Sequence, residues 1–584
     1  VTEVSSPPAT ARTIARLWLD AVAAGRSEPA YLVEQPDGSW APVSWAEAGT
    51  TVAEIANGLL ALGVAKGDAF GILGRNALEW AAFDFALALV GAVAAPIYSS
   101  SSPRDCLYVL EHSEAVGVLI EDGEYRGKID GYRGRILTYA DLEQLREQGR
   151  EFAAANPGAL AAAAAAVGDE DLYTYIYTSG TTGPPKACMI RHRNYDAMAR
   201  KAASYPESAN LGDTMLLYLP LAHNFGHTML LSGAYRGYTI AFLADPLRAA
   251  EVLARVRPTV MPTVPRLFEK IHTVLVGRFD EATGVQGRLL HWSLGVGRAV
   301  SERQQAQEPL PASLELRRRA ADRLVLGKIR GRIGFDRLRY SNSGGAPLAQ
   351  EIAEFFHALG ILIVEGYGLS ECTTGATVNH QGAFRFGTVG QAMPGVELRI
   401  ADDGEILVRS DTVFAGYYKD DAATAEVLDP DGWLHTGDVG RLDEDGYLII
   451  TDRKKDILVT AGGKNVAPQN IENDLKTSKY VSQAIVVGDK RPYVAALLTI
   501  DEPEVRNAVG EVAGPLHEDL RVRELLQAVV DEANAERSRF EQVKRFAILP
   551  RDFTIERDEL TPTLKLKRRA VQDHFAAEID ALYG

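Results

Sequence analysis

Between Tyr177 and Lys186 the chain reads Tyr-Thr-Ser-Gly-Thr-Thr-Gly-Pro-Pro-Lys, a dense run of anion-binding groups. Gly180 and Gly183 let the backbone turn so that amide groups face an anion. Thr178, Ser179, Thr181 and Thr182 add hydroxyl donors and Lys186 adds a positive charge, a set suited to the β- and γ-phosphates of ATP. It is not the GxxxxGK[ST] phosphate loop, because Ala187 follows Lys186. Gly/Ser/Thr runs are common in flexible loops. Here an apolar and aromatic strand over residues 172–177 leads straight into the run, and the order of its residues favours a phosphate site.

Such a loop needs rigid elements behind it. Residues 69–73, 93–97 and 116–120 read as short apolar strands, and residues 77–90 and 104–112 have helical spacing. This alternation continues over about the first 450 residues and implies parallel sheets covered by helices. The alanine run 161–166 reads as a short helix or a connector, with no function assigned. Past Asp452 the texture changes. Residues 481–487 and 493–500 are apolar strands around a Gly-Asp-Lys-Arg-Pro hairpin, followed by a helical pattern rich in Glu and Arg over 519–540. The expected organisation is an α/β protein with two domains. Residues 1–452 form a large domain of helix-covered sheets, and residues 453–584 form a small, mobile α+β domain joined to it by a hinge.

The 584 residues carry a formal charge of −16, so the average surface repels nucleic acid and anionic lipid, and a phosphate ligand must be held by a local site. Cys106, Cys188 and Cys372 show no CxxC spacing, which fits reduced thiols in a cytoplasmic protein. Residues 1–30 have no basic head followed by an apolar core, so no signal peptide is expected. The most apolar stretch, 80–98, is broken by Asp84, Gly91 and Pro96, and reads as a buried helix followed by a strand.

From the phosphate loop onward the chain resembles the adenylate-forming superfamily of acyl-CoA ligases, peptide-synthetase adenylation domains and insect luciferases. Leu219-Pro220-Leu221-Ala222-His223-Asn224 is similar to the segment that helps wall the carboxylate pocket, and Ser343-Gly344-Gly345-Ala346-Pro347-Leu348 to the one beside adenine. Glu365-Gly366-Tyr367-Gly368-Leu369-Ser370-Glu371 resembles the nucleotide motif. Gly404-Glu405-Ile406 and Gly416-Tyr417-Tyr418 resemble a structural motif. Thr436-Gly437-Asp438 resembles the ribose motif and Asp452-Arg453-Lys454-Lys455 the hinge. Thr561-Pro562-Thr563-Leu564-Lys565-Leu566-Lys567 resembles the C-terminal lysine motif, with Leu564 where glycine is usual, a form similar to the long-chain subgroup. The segments occur in family order along nearly the whole chain.

The resemblance implies ATP, Mg²⁺ and CoA as cofactors and a fatty acid as substrate. It places the Tyr367 ring on adenine and Asp438 and Arg453 on the ribose. Glu371, with Thr182, is the expected Mg²⁺ ligand, and Lys186 binds phosphate. His223 guides the substrate carboxylate, reports pocket closure or packs as an ordinary core histidine. Lys565 offsets charge that builds on the phosphoryl oxygens. Lys455 is the hinge, and Gly462, Gly463 and Lys464 face the pantetheine arm of CoA after a domain rotation. Val459 stands where some relatives carry a lysine used in thioester formation.

The stretch from Asp431 to Lys455 and the segment Arg266-Leu267-Phe268-Glu269-Lys270-Ile271 resemble long-chain fatty acid–CoA ligases. Met229, Leu230, Leu231, Gly233 and Ala234 are candidates for an acyl channel, or plain helix core. An acyl-AMP ligase loading a carrier protein is less favoured, because only residues 372–388 separate Glu371 from Val389-Gly390 and the long insertion of that subgroup is missing. A ligase for another hydrophobic or aromatic acid, a luciferase-like oxygenase and a non-catalytic binding protein are the other readings. The last predicts loss of Lys186, Glu371, Asp438 or Lys565, and all four are present. A homodimer and peripheral membrane contact are compatible with the sequence.

The two-domain reading separates two half-reactions. Lys565→Ala is expected to stop acyl-AMP formation, a loss of about 3–4 kcal/mol in transition-state stabilisation, while still converting supplied acyl-AMP and CoA. Gly463→Leu is expected to accumulate acyl-AMP and fail at transfer. Assaying each half-reaction separately checks this, and equal loss of both in both variants contradicts it.

Overall fold

The computed structural model describes residues 13–178, 185–512, 514–535, 537–561 and 566–584. A six-stranded sheet runs in the order Arg135–Thr138, Gly117–Ile120, Ala69–Leu73, Val93–Ile97, Leu172–Thr178 and Lys186–Arg191. Its first five strands are parallel and the last returns antiparallel. Residues of Ala69–Leu73 and Val93–Ile97 are buried on both faces, which is why these strands read as unbroken apolar runs.

A nine-stranded sheet carries the remaining site elements. Its parallel centre is Ile363–Tyr367, Tyr340–Ser343, Val260–Thr263, Thr214–Leu217, Thr239–Phe242 and Tyr31–Glu34. Antiparallel strands close both edges. Ligands of such sheets bind at the carboxyl ends of the parallel strands, and Thr178, Ser343 and Tyr367 all end strands.

The helix Leu78–Val90 is buried from Trp80 to its end and stops at Gly91, whose φ of +75° suits a residue without a Cβ. Asp84 lies fully buried on it. Its Oδ2 accepts from the Tyr173 hydroxyl, and His227 Nε2 lies 3.0 Å from the same oxygen. This node ties the helix to the strand Leu172–Thr178 and to the helix Asn224–Arg236. Burying it without partners would cost several kcal/mol. Leu230, Leu231 and Ala234 pack into the closed core of that helix, and a Cβ on Gly233 would meet Ile240 at 2.7 Å. These four are helix core. Cys106, Cys188 and Cys372 are buried and free of disulfides.

The large N-terminal domain is followed by a small α+β domain with its own sheet, Val481–Val487, Val494–Ile500 and Val543–Ile548, and hydrophobic cores on both sides of it. The helical pattern expected over 519–540 holds only for Leu520–Asn534. Asn534 ends it by donating to the Val543 carbonyl and accepting from the Val543 amide, both at 2.9 Å. The small domain rests on the helix Pro265–Asp280 through polar contacts. Arg266 donates to Ser482 O and Oγ (2.7 and 2.9 Å), and Lys479 Nζ lies 2.6 Å from Asp280. In the Arg266–Ile271 segment, Arg266 and Glu269 thus meet the small domain while Phe268 and Ile271 pack into the large-domain core. Among the described residues no helix is long and apolar enough to cross a membrane.

Candidate functional site

Thr178 and Lys186 face each other as register partners where the two strands of an antiparallel pair meet their connection. Ser179, Gly180, Thr181, Thr182 and Gly183, expected to hold phosphate, lie outside the described residues. The Lys186 ammonium sits 5.0 Å from the centre of the Tyr417 ring. The Tyr417 hydroxyl donates to Glu371 Oε1 at 2.7 Å. Burial, then the neighbouring Glu371 carboxylate, push that hydroxyl well above the usual phenol range, so it remains a donor. Glu371 Oε2 has no protein hydrogen bond among the described residues. One open carboxylate oxygen on this row fits Mg²⁺, which takes one or two carboxylates and fills its shell with phosphate and water oxygens. No cluster of three or more His, Cys, Asp or Glu side chains suited to a metal occurs among the described residues.

Tyr417 was read in the sequence only as part of a structural motif. It pairs with Cys188 as a β-bridge, and Tyr418 N donates to Ala187 O, so segment 415–418 runs beside the Lys186 strand. The bridge between Lys186 and Glu371 therefore comes from strand pairing that local sequence does not display.

The loop after Tyr367 presents Glu371 under strain. Thr373 and Thr374 have φ of +50° and +88°, values costly for threonine. Thr374 Oγ1 donates to Asn224 O, and Thr373 Oγ1 donates to Thr412 O. Asn224 Nδ2 donates to Ser370 O at 3.2 Å, and Asn224 Oδ1 accepts from Tyr195. Gly368 is required here, since a Cβ would lie 1.8 Å from the Thr374 carbonyl. Asn224 and Thr374 are positioning residues that the motif reading passed over.

His223 is the N-cap of the helix Asn224–Arg236, and its Nδ1 accepts from Phe225 N at 3.1 Å. A ring that accepts at Nδ1 and is neutral carries its proton on Nε2. Asn76 pins the turn before it, donating to Leu217 O and Leu219 O and accepting from Leu221 N at 2.9 Å.

On the other wall, Gly344, Gly345 and Ala346 form the turn after strand Tyr340–Ser343. Gly345 has a φ of +84°, and Gly345 and Ala346 are exposed. Glu365 is buried, and its Oε1 accepts from Leu348 N at 3.1 Å, bracing the turn from beneath. Burial pushes its carboxyl up to about 7. Gly366 and Tyr367 finish the next strand. The Tyr367 hydroxyl donates to Asp438 Oδ2 at 2.7 Å, and Arg453 Nε donates to Asp438 Oδ1 at 2.9 Å. Each Asp438 oxygen keeps a second lone pair.

Among the described residues, Lys455, Gly462, Gly463 and Lys464 make no hydrogen bond or ion pair to these groups. Lys455 is exposed in the turn after the strand Leu448–Arg453. Gly462, Gly463 and Lys464 are exposed in a tight turn closed by Gly463 N to Thr460 O, with Lys464 5.8 Å from the Phe540 ring. That turn contacts its own domain, not Lys186, Glu371 or Asp438. Lys565 lies outside the described residues.

A lysine-bearing hairpin, a strained acidic loop, and a Tyr367–Asp438–Arg453 row that joins the end of a parallel strand to an antiparallel strand pair define a nucleotide-handling α/β enzyme. The AMP-binding enzyme family matches residues 19–418, its C-terminal domain family matches residues 455–584, and the chain belongs to that family. The long-chain-fatty-acid–CoA ligase FadD15 of Mycobacterium bovis is 39% identical to it over 96% of this chain and 95% of its own. The peroxisomal long chain acyl-CoA synthetase 7 of Arabidopsis thaliana is 31% identical over 94% of this chain and 83% of its own. The adenylation domain of a carboxylate reductase from Mycobacterium chelonae shares the fold, with a TM-score of 0.77 at 22% identity, covering 98% of this chain and 91% of that one.

Glu365 yields a stability prediction. An acid whose folded pKa is raised destabilises the fold once ionised. The loss is small below the ordinary carboxylate value of 4.5, grows to about pH 7 and is constant above it. Glu365→Gln keeps an acceptor for Leu348 and removes the charge. Relative to wild type it should gain about 2–3 kcal/mol more at pH 8 than at pH 4.5 by urea unfolding. An equal effect at both pH values contradicts the assignment.

Proposed function

We propose that the chain activates a long-chain fatty acid with ATP and Mg²⁺, then passes the acyl group to CoA. In the first step a fatty carboxylate oxygen attacks the α-phosphorus, the bond to the β-phosphate bridging oxygen breaks, and acyl-AMP and pyrophosphate form. In the second, the CoA thiolate attacks the acyl carbonyl, the acyl–phosphate bond breaks, and acyl-CoA and AMP leave. The observation that carries this reading is the link from Lys186 through Tyr417 to Glu371 beside Thr178. It brings a cation, a phenol donor and a carboxylate together beside Thr178. The identity to the Mycobacterium bovis ligase over almost the full length of both chains supports the substrate class.

In this reading Lys186, Thr178 and residues 179–183 hold the β- and γ-phosphates. Mg²⁺ on Glu371 and Thr182 would neutralise phosphate charge. Tyr367 flanks adenine with Gly344, Gly345, Ala346, Gly366 and Gly368, braced by Glu365, and Ser370 positions Glu371. Asp438 accepts from the ribose hydroxyls while Arg453 fixes its orientation. His223 offers its Nε2 proton to the fatty carboxylate. Lys565 supplies the cation at the α-phosphate, and Gly462, Gly463 and Lys464 meet CoA after rotation about Lys455.

The acyl chain is placed along the inner face of strands Tyr340–Ser343, Ile363–Tyr367 and Thr377–Val378. A cavity of about 80 Å³ lies there, lined by Tyr205, Val364, Val378 and Met393 and also by the polar Glu207, Asn342, Asn379, His380 and Gln381. It is too small for a long chain, so it must open. Met198 and Met393 press on Gly375, at 3.5 and 3.1 Å from the place of its Cβ, and methionines are flexible enough to give way.

The test is AMP release across a panel of acids, with CoA present or omitted. Acids of about twelve or more carbons should exceed acetate by orders of magnitude, since each buried methylene contributes about 0.8 kcal/mol. Sustained AMP release should require CoA. Equal turnover of acetate and palmitate contradicts the substrate class, and CoA-independent turnover contradicts the acceptor.

A further inference from the structure

The strand Tyr340–Ser343 carries a side chain that packing alone does not account for. Its residues alternate between two faces, and Tyr340 and Asn342 line the cavity of about 80 Å³ while Ser341 and Ser343 do not. Asn342 lies inside the parallel sheet, in register with Pro262 on one neighbouring strand and Val364 on the other. Its carboxamide makes no hydrogen bond among the described residues. Asparagine is disfavoured in strands, and an amide left without partners away from bulk water costs about 1–3 kcal/mol. A leucine or valine would fill the same place without that cost.

The other polar residues of the cavity are committed elsewhere. Asn379 Nδ2 donates to Thr388 O at 2.8 Å, and its Oδ1 accepts from Arg385 N at 3.0 Å. Gln381 Nε2 donates to Arg339 O at 2.9 Å. Glu207 Oε2 lies 3.6 Å from His380 Nδ1. These contacts fix the polar wall and leave the Asn342 amide for whatever enters. The strand also sets the depth. Asn342 comes two residues before Gly344, one pleat repeat of about 7 Å, and Val364 stands in the same relation to Gly366. The cavity therefore begins one repeat below the turn where the nucleotide and the carboxylate are proposed to meet.

We propose that this cavity is a subsite for a hydroxyl group borne partway along the acyl chain, read by the Asn342 amide. A hydroxyl both donates and accepts, and the amide offers the matching acceptor and donors. Glu207 on the same wall disfavours a second carboxylate there. Ligand pockets are mostly apolar, with a few placed polar groups that set specificity, and Asn342 beside Val364, Val378 and Met393 has that form. The inference rests on the proposed function and narrows its substrate from plain long-chain acids to those hydroxylated several carbons from the carboxylate.

The full chain is assayed for AMP release with ATP and CoA, using saturated acids of one length. They are unsubstituted or carry a single hydroxyl near the carboxylate, at mid-chain or at the far end. Calorimetric titration of the same acids reads binding without turnover. Wild type should prefer the mid-chain hydroxy acid to the unsubstituted acid by about tenfold or more, in kcat/KM and in affinity. Asn342→Leu nearly keeps the volume and removes the amide. It should erase the preference in both readouts and make the unsubstituted acid the better ligand. The wild-type dependence on hydroxyl position decides even if that variant does not fold. Equal use of plain and hydroxylated acids, the result for a cavity that holds only water, overturns the proposal. A preference indifferent to hydroxyl position overturns it too, as does an Asn342→Leu variant with the wild-type preference. Failure of the proposed function looks different, since wild type would then release AMP with none of the acids, and the calorimetric preference would still decide the subsite.

Discussion

The hydrogen bond from the Tyr417 hydroxyl to Glu371 joins the two halves of the proposed nucleotide site. Lys186 belongs to the six-stranded sheet and Glu371 to a loop of the nine-stranded sheet. A polyphosphate needs groups from both, held at fixed spacing before it arrives, because preorganised charge is worth more than charge that must be gathered. Tyr417 does this from a third segment, lying against the Lys186 strand while donating to the carboxylate. Its phenol stays protonated because it is buried and beside an anion.

The remaining polar contacts are subordinate to that spacing. Asn76 fixes the turn ahead of His223, and Asn224 fixes the loop ahead of Glu371. The positive φ of Thr373 and Thr374 is sustained by their hydroxyls, which bond to Thr412 and Asn224. The buried Asp84–Tyr173–His227 node then locks the layers on which these segments ride. By contrast, the small domain is held to Pro265–Asp280 by ion pairs and hydrogen bonds at its rim, the kind of contact that can break and re-form. A rigid nucleotide wall and a loosely docked second domain are what a two-step reaction at one site requires.

Much of the architecture was legible in local pattern. The apolar strands near 69–73 and 93–97 and the buried helix between them follow from composition alone, because both faces are covered and no polar alternation is needed. Lys186, Tyr367 and Asp438, proposed for the site, stand in contiguous motifs, and the structure sets Tyr367 and Asp438 in hydrogen-bond contact. What stayed hidden came from distance in sequence. Tyr417 reaches Glu371 from 46 residues away, and Asn224 reaches Ser370 from 146. The end of the helix Leu520–Asn534 was missed for a similar reason, since Glu and Arg favour helix locally while Asn534 clamps the following strand. Whole-chain charge likewise averages away the basic helices at 312–333.

The most direct test is a double-mutant cycle on single-turnover acyl-AMP formation, using Tyr417→Phe, Glu371→Gln and the pair. If the phenol acts by holding the carboxylate, Tyr417→Phe alone should slow the step by about tenfold, and adding it to Glu371→Gln should change almost nothing. That is a coupling of about 1.4 kcal/mol. Rates that fall by the product of the two single effects would mean that Tyr417 and Glu371 act independently, and would contradict the account.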